Sequence, residues 1–302
     1  MRSADRFLSS LDKRANMLRT TSGRVQVARD GKGPAVLISH GGPGGFDQGL
    51  MYGRHLRDRG CELIAPSRPG YLRTPIDSGR SPIEQADLMA AVLDELGLER
   101  AAILGYSSGG PAAVHFAARH TDRVRALLLD SAVTMAYETP GNLVERVFVF
   151  SSFGAWWWSQ VAERWPKLAT STFVDGFSTA LDKQQKRAAV DWITSDESRQ
   201  QLVQELWMSF GPWDRRQHGF ENDETNESDL DPLPFADIMC PTLIAHGSND
   251  GAVPVDHAQR ACEQIAGAEL IIVPDAHHLL PASRGFDVVM ERQLALTAIT
   301  PG

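Results

Sequence analysis

Only three cysteines occur in the chain, Cys61, Cys240 and Cys262, an odd number with no C-x-x-C spacing. Neither a disulfide framework nor a structural zinc site is indicated, and free thiols suit a reducing compartment. Basic charge is also short: 30 Lys and Arg face 38 Asp and Glu, for a formal net charge of −8, and no Lys/Arg cluster stands out. Without a basic footprint the chain is not expected to bind nucleic acid. No apolar run approaches the roughly 18 residues that a membrane-spanning helix needs. The N-terminal stretch carries charges throughout (Arg2, Asp5, Arg6, Asp12, Lys13, Arg14), with no apolar core of a signal peptide. A cytoplasmic protein with no membrane partner is the expectation. Internal repeats and low-complexity tracts are missing too.

What is present is an ordinary globular balance, 42% hydrophobic and 23% charged over 302 residues, enough chain for one large α/β domain with an insertion. From Arg24 to Asp130 strand-like and helix-like segments alternate, the signature of βαβ units and a mostly parallel sheet. Ala35 to Ser39 (AVLIS), Leu63 to Ala65, Ala101 to Leu104 and Val124 to Leu129 are expected strands. Between them, Ser81 with Pro82 and Glu84 forms a helix start with a capping box. Ile83, Ala86, Ala90, Leu93 and Leu96 mark its apolar face, and Gly97 stops it. Ser108 to His120 is the next expected helix. Pro241 to Ala245 and Leu270 to Val273 resume the sheet around a helix near Val255 to Ile265.

The interruption between these halves contains all seven tryptophans: Trp156, Trp157, Trp158, Trp165, Trp192, Trp207 and Trp213. Such a segment is expected to be a helical cap over the carboxyl ends of the strands. The expected division is a core from residues 1–134 and 237–302, with the cap at 135–236.

Gly105-Tyr106-Ser107-Ser108-Gly109 is a G-x-S-x-G sequence between an expected strand and an expected helix. That context predicts a sharp turn with Ser107 in a strained conformation above the sheet edge, the helix N-terminus favouring a developing negative charge. His40-Gly41-Gly42-Pro43-Gly44-Gly45 follows the strand AVLIS. A glycine turn there exposes N–H donors to an oxyanion, with Gly42 as one donor and Ser108 N–H as the other. A serine nucleophile needs a base, and the base an orienting acid. Two later loops supply both residue types, His246-Gly247-Ser248-Asn249-Asp250 and Pro274-Asp275-Ala276-His277-His278.

Together HGGPGG, GYSSGG, HGSNDGAVP and PDAHHLL resemble the four landmarks of the α/β-hydrolase superfamily, from about Arg24 to the end and most weakly in the cap. The resemblance implies Ser107 as nucleophile, Asp250 as acid and His278 as base, because the family's usual small residue before its histidine falls at His277. His277 departs from that pattern and stays a rival base. Asp130, at the end of ALLLD, is a rival acid by resemblance to other members, and Asp275 is expected to be a turn residue. A serine at the elbow separates the chain from similar haloalkane dehalogenases and epoxide hydrolases, which use aspartate there.

His40 is expected to brace its loop rather than transfer protons. His55, His115, His120, His218 and His257 lack ligand-like spacing, so metal catalysis is not expected, and because a triad with an oxyanion hole supplies the catalysis no organic cofactor is expected either. The tract Glu221 to Asp231 is expected to be a solvated acidic loop. The Trp156 to Trp158 cluster is expected either to line an acyl pocket or to pack between helices. The expected activity is hydrolysis of a small to medium apolar carboxylic ester through an acyl-enzyme on Ser107. HGGPGG and the acidic tract also resemble proline iminopeptidases, which usually carry GGSWGG where this chain has GYSSGG. A ligand-binding receptor on the same fold is the non-enzyme alternative.

Overall fold

A computed structural model describes residues 3–138, 149–178 and 181–298. Stretches 139–148 and 179–180 of the expected cap, and the chain ends of the expected core, lie outside the described residues. Eight strands make one sheet: β1 (Ala15–Thr20), β2 (Gly23–Gly31), β3 (Ala35–Ser39), β4 (Glu62–Pro66), β5 (Ala101–Tyr106), β6 (Val124–Asp130), β7 (Thr242–Gly247) and β8 (Glu269–Val273). Their order is β1-β2-β4-β3-β5-β6-β7-β8. β2 runs antiparallel to both β1 and β4, and every other pairing is parallel.

The central strands are apolar because both faces of a parallel sheet are covered. Side chains alternate between two cores along each strand. Val36, Ile38, Ala102, Leu104, Ala126 and Leu128 pack with Phe46, Leu50 and Met51 of the helix Phe46–Tyr52 on one face. Leu37, Ile103, Leu127 and Leu129 pack on the other with the helices Pro82–Glu95 and Gly110–Arg119. The helix Pro82–Glu95 starts as expected: Ser81 Oγ accepts from Glu84 N at 3.2 Å, and Glu84 Oε2 accepts from Ser81 N at 2.8 Å. Its inward face differs from the expectation at one position. Ile83 in the first turn is exposed, and burial begins at Gln85 and Ala86.

Chain order puts β4 on one side of β3 and β5 on the other. The carboxyl ends of β3 and β5 therefore diverge at a topological switch point, where an open α/β sheet forms a crevice. Between β6 and β7 the described residues form helices Ser152–Arg164, Pro166–Gly176, Lys183–Thr194, Glu197–Met208 and Gln217–Ser228, with no strand among them. Their apolar faces join the core of Phe46 and Met51 through Ala155, Trp158, Phe173, Val203 and Trp207. The helices Ser3–Leu11, Arg54–Arg57, Asp256–Gln264 and Phe286–Thr297 and the strand β1 complete the described fold.

Candidate active site

β5 ends at Tyr106, and Ser107 has φ 53°, a left-handed conformation that a serine adopts only when its surroundings impose it. A 3-10 turn, Ser107–Gly109, leads into the helix Gly110–Arg119. Close packing dictates the flanking glycines. A Cβ on Gly105 would lie 2.7 Å from Ala113 Cβ, and one on Gly109 would lie 2.0 Å from the Ser39 carbonyl oxygen of β3. The turn is held from below by Val133 N, which donates to Ser107 O at 3.0 Å.

The loop after β3 is braced by its first residue. His40 Nδ1 donates to Gly41 O at 2.7 Å, while Nε2 accepts from Arg68 N at 2.9 Å. Burial first, and then the Arg68 charge, hold the ring's pKa well below the ordinary histidine value, so it stays neutral. Arg68 also donates to His40 O at 2.8 Å and makes a bidentate pair with Asp223, both bonds 2.6 Å. Nearby, Arg216 pairs with Asp47 at 2.7 and 3.0 Å and reaches Gly44 O, with both charged side chains fully buried. Two ion pairs thus fasten this glycine loop and its surroundings to the segment between β6 and β7.

At the end of β7, Asp250 Oδ1 accepts from Ala252 N at 2.8 Å and Val253 N at 2.9 Å. Its Oδ2 accepts from His278 Nδ1 at 2.8 Å and lies 3.3 Å from His246 Nε2. Burial pushes the Asp250 carboxyl up, but the charge of His278 and the hydrogen bonds of His246 and His278 outweigh it. They hold the carboxyl well below the usual carboxylate range. Tyr106, stacked on Tyr52 at 4.0 Å, lies against the His278 ring with centroids 5.1 Å apart. Sequence reasoning named His246 but gave it no role, although its place four residues before Asp250, at the end of β7, is a usable signal.

The rivals lie elsewhere. His277 is buried edge-on to Phe173 at 4.9 Å, with Ser283 Oγ 3.4 Å from its Nδ1, and burial pushes its pKa down to about 4. Asp130 accepts from Tyr52 OH at 3.2 Å and Gln293 Nε2 at 2.8 Å, and burial pushes it up to about 7. Asp275 occupies a turn with φ 54°.

Ser107 and His278 share a cavity of about 510 Å³ with Gly42, Ser108, Gln48 and Glu227. Among the described residues no hydrogen bond joins Ser107 to His278. The apolar wall comes from Phe150, Phe177, Leu206, Trp207, Phe210 and Phe220. Of the two expectations for the tryptophan cluster, packing holds for Trp158, which stacks on Trp207, while Trp156 and Trp157 are 39% exposed; among the described residues Trp207 is the one of the seven that lines the cavity. The acidic tract needs correction. Most of it belongs to the helix Gln217–Ser228, where Asp223 and Glu227, four residues apart, turn inward and are buried. No helix among the described residues is long and apolar enough to cross a membrane.

Residues 34–283 match the alpha/beta hydrolase fold family, and the chain belongs to it. A solved alpha/beta hydrolase fold protein from Nakamurella multipartita is 35% identical and superimposes with a TM-score of 0.91, covering 94% of this chain and 98% of that one. The uncharacterized hydrolase YcgS of Bacillus subtilis (strain 168) is 28% identical over 276 residues, 89% of this chain and 93% of its own length. A 2-hydroxymuconate semialdehyde hydrolase of Pseudomonas putida is 27% identical over 259 residues, 84% of each chain.

Proposed function

We propose that the protein is a serine hydrolase of small to medium apolar carboxylic esters. Ser107 attacks the acyl carbon, His278 takes its proton and returns it to the leaving alcohol, and Asp250 holds the ring in the tautomer with Nδ1–H toward the acid. The oxyanion is held by the N–H groups of Gly42 and Ser108, and water then hydrolyses the acyl-enzyme, restoring the hydroxyl. The helices of residues 135–236 act as a cap whose apolar wall holds the acyl chain. The observation that carries this reading is the left-handed Ser107 in the same cavity as a His278 ring bonded to a buried Asp250 at 2.8 Å.

The test is a panel of 4-nitrophenyl esters beside a prolyl arylamide, with a fluorophosphonate as active-site label. Wild type should hydrolyse the esters and be labelled on Ser107. Ser107→Ala should stay folded and lose roughly 10⁴-fold or more in kcat. Labelling at another residue, or hydrolysis undiminished in the variant, refutes the assignment. Preference for the prolyl arylamide would make the protein an aminopeptidase of the same mechanism.

A further inference from the structure

Buried polar atoms normally find partners, so an unpartnered one on a cavity wall indicates what a ligand must bring. Gln48 and Glu227 both line the cavity of Ser107, and each has an Oε1 that is buried without a hydrogen-bond partner among the described residues. The orientation of the Gln48 amide is fixed, because its Nε2 donates to Pro43 O at 2.9 Å. Gln48 Oε1 flanks the glycine loop, and Glu227 is tied to it through Ser108. A Cβ on Gly44 would lie 2.8 Å from Gln48 Oε1, and one on Gly42 would lie 3.3 Å from Ser108 Oγ, whose hydroxyl interacts with Glu227.

We propose that Glu227 is a specificity-determining residue that hydrogen-bonds a neutral hydroxyl on the substrate close to the scissile ester. The inference rests on the ester-hydrolase reading and narrows its substrate class to hydroxylated esters. Charge decides between possible groups. Burial, and then the neighbouring Asp223, push the Glu227 carboxyl well above the usual carboxylate range, which favours the uncharged form that both donates and accepts. Arg68 offsets this only in part, because that guanidinium is held by Asp223 through two bonds of 2.6 Å. A substrate carboxylate would be opposed by the acidic Asp223 and Glu224 that already act on Glu227, and an ammonium would require Glu227 to ionise beside Asp223. A hydroxyl matches a protonated carboxyl without forming a charge and can donate to Gln48 Oε1 or Glu227 Oε1.

The test uses 4-nitrophenyl butyrate against its 3-hydroxy and 3-amino counterparts, and butyl against hydroxybutyl acetate, with wild type, Glu227→Leu and Glu227→Gln. For at least one placement of the hydroxyl, wild type should favour the hydroxylated ester by about tenfold in kcat/KM. Glu227→Leu should bring that ratio to near one, whereas Glu227→Gln, which still donates and accepts, should keep part of it. No preference in wild type, an unchanged ratio in Glu227→Leu, or preference for the amino compound overturns the proposal. Should Glu227→Leu fail to fold, the reduced ratio in Glu227→Gln decides the matter. The same pairs as amides, titrated onto Ser107→Ala and followed by tryptophan fluorescence, separate the two readings. Discrimination in binding without ester hydrolysis by wild type sinks the hydrolase reading and keeps Glu227, and hydrolysis without discrimination does the reverse.

Discussion

Two adjacent histidines differ sharply in what surrounds them. His278 lines the cavity and donates to Asp250, while the ring of His277 is buried against Phe173. His278→Ala should therefore abolish ester turnover, and His277→Ala should keep a measurable fraction, checked by steady-state kinetics of both folded variants. The buried Asp130 carries a different consequence. With its carboxyl raised to about 7 against roughly 4 for an unfolded aspartate, the folded state holds a proton that the unfolded state releases between those values. Stability contributed by that proton is complete below about pH 4 and falls as pH rises toward about 7, by about 1.4 kcal/mol per pH unit. Asp130→Asn should remove this slope, so urea unfolding should find the variant gaining on wild type with rising pH. A pH-independent difference would mean that Asp130 titrates as an ordinary carboxyl. The positions of Ser107, Asp250 and His278 were legible because glycine spacing and loop motifs are local. Glu227 was not, because its burial depends on which face of the helix Gln217–Ser228 meets the body, and an acidic run alone carries no such information.

At the scale of elements, the strands β3, β5 and β6 were readable because they are covered on both faces and must be apolar throughout. β1 carries mixed residues with little of it buried, and the helix Ser3–Leu11, although amphipathic, is short and precedes the strand–helix alternation, so neither was read. The ion pairs that join elements were equally invisible, since Arg216 and Asp47 stand far apart in sequence yet are both fully buried. Removing one partner strands the other charge without water. Arg216→Met should cost about 3–5 kcal/mol, measured by urea unfolding, and adding Asp47→Leu should recover part of that loss. A loss below about 1 kcal/mol in the single variant would show that solvent reaches Asp47. The same substitution should lower turnover of the folded fraction, because Arg216 also reaches Gly44 O in the loop proposed to hold the oxyanion.

For the whole molecule, sequence revealed a core interrupted by an aromatic-rich helical stretch, but not which aromatics face inward. Composition shows where tryptophans are, whereas exposure is set by helix rotation, and phenylalanines supply most of the aromatic cavity wall. A cavity of about 510 Å³ with polar groups at one end and Phe150, Phe177, Trp207 and Phe220 on its wall should bind acyl chains until it is full. Each buried methylene contributes up to about 0.8 kcal/mol, close to fourfold in kcat/KM. The rate constant should therefore rise from acetyl toward butyryl or hexanoyl esters and then fall, and a flat profile would mean that the apolar wall does not contact the acyl group. Fluorescence provides an independent check on the same geometry. Binding of an unreactive apolar ester analogue should change tryptophan emission, and Trp207→Phe should remove most of that change. Trp156→Phe and Trp157→Phe, at half-exposed positions on the helix Ser152–Arg164, should leave it intact. A response that survives in Trp207→Phe but disappears in Trp156→Phe would put the bound chain on the outer face of the helices, away from Ser107.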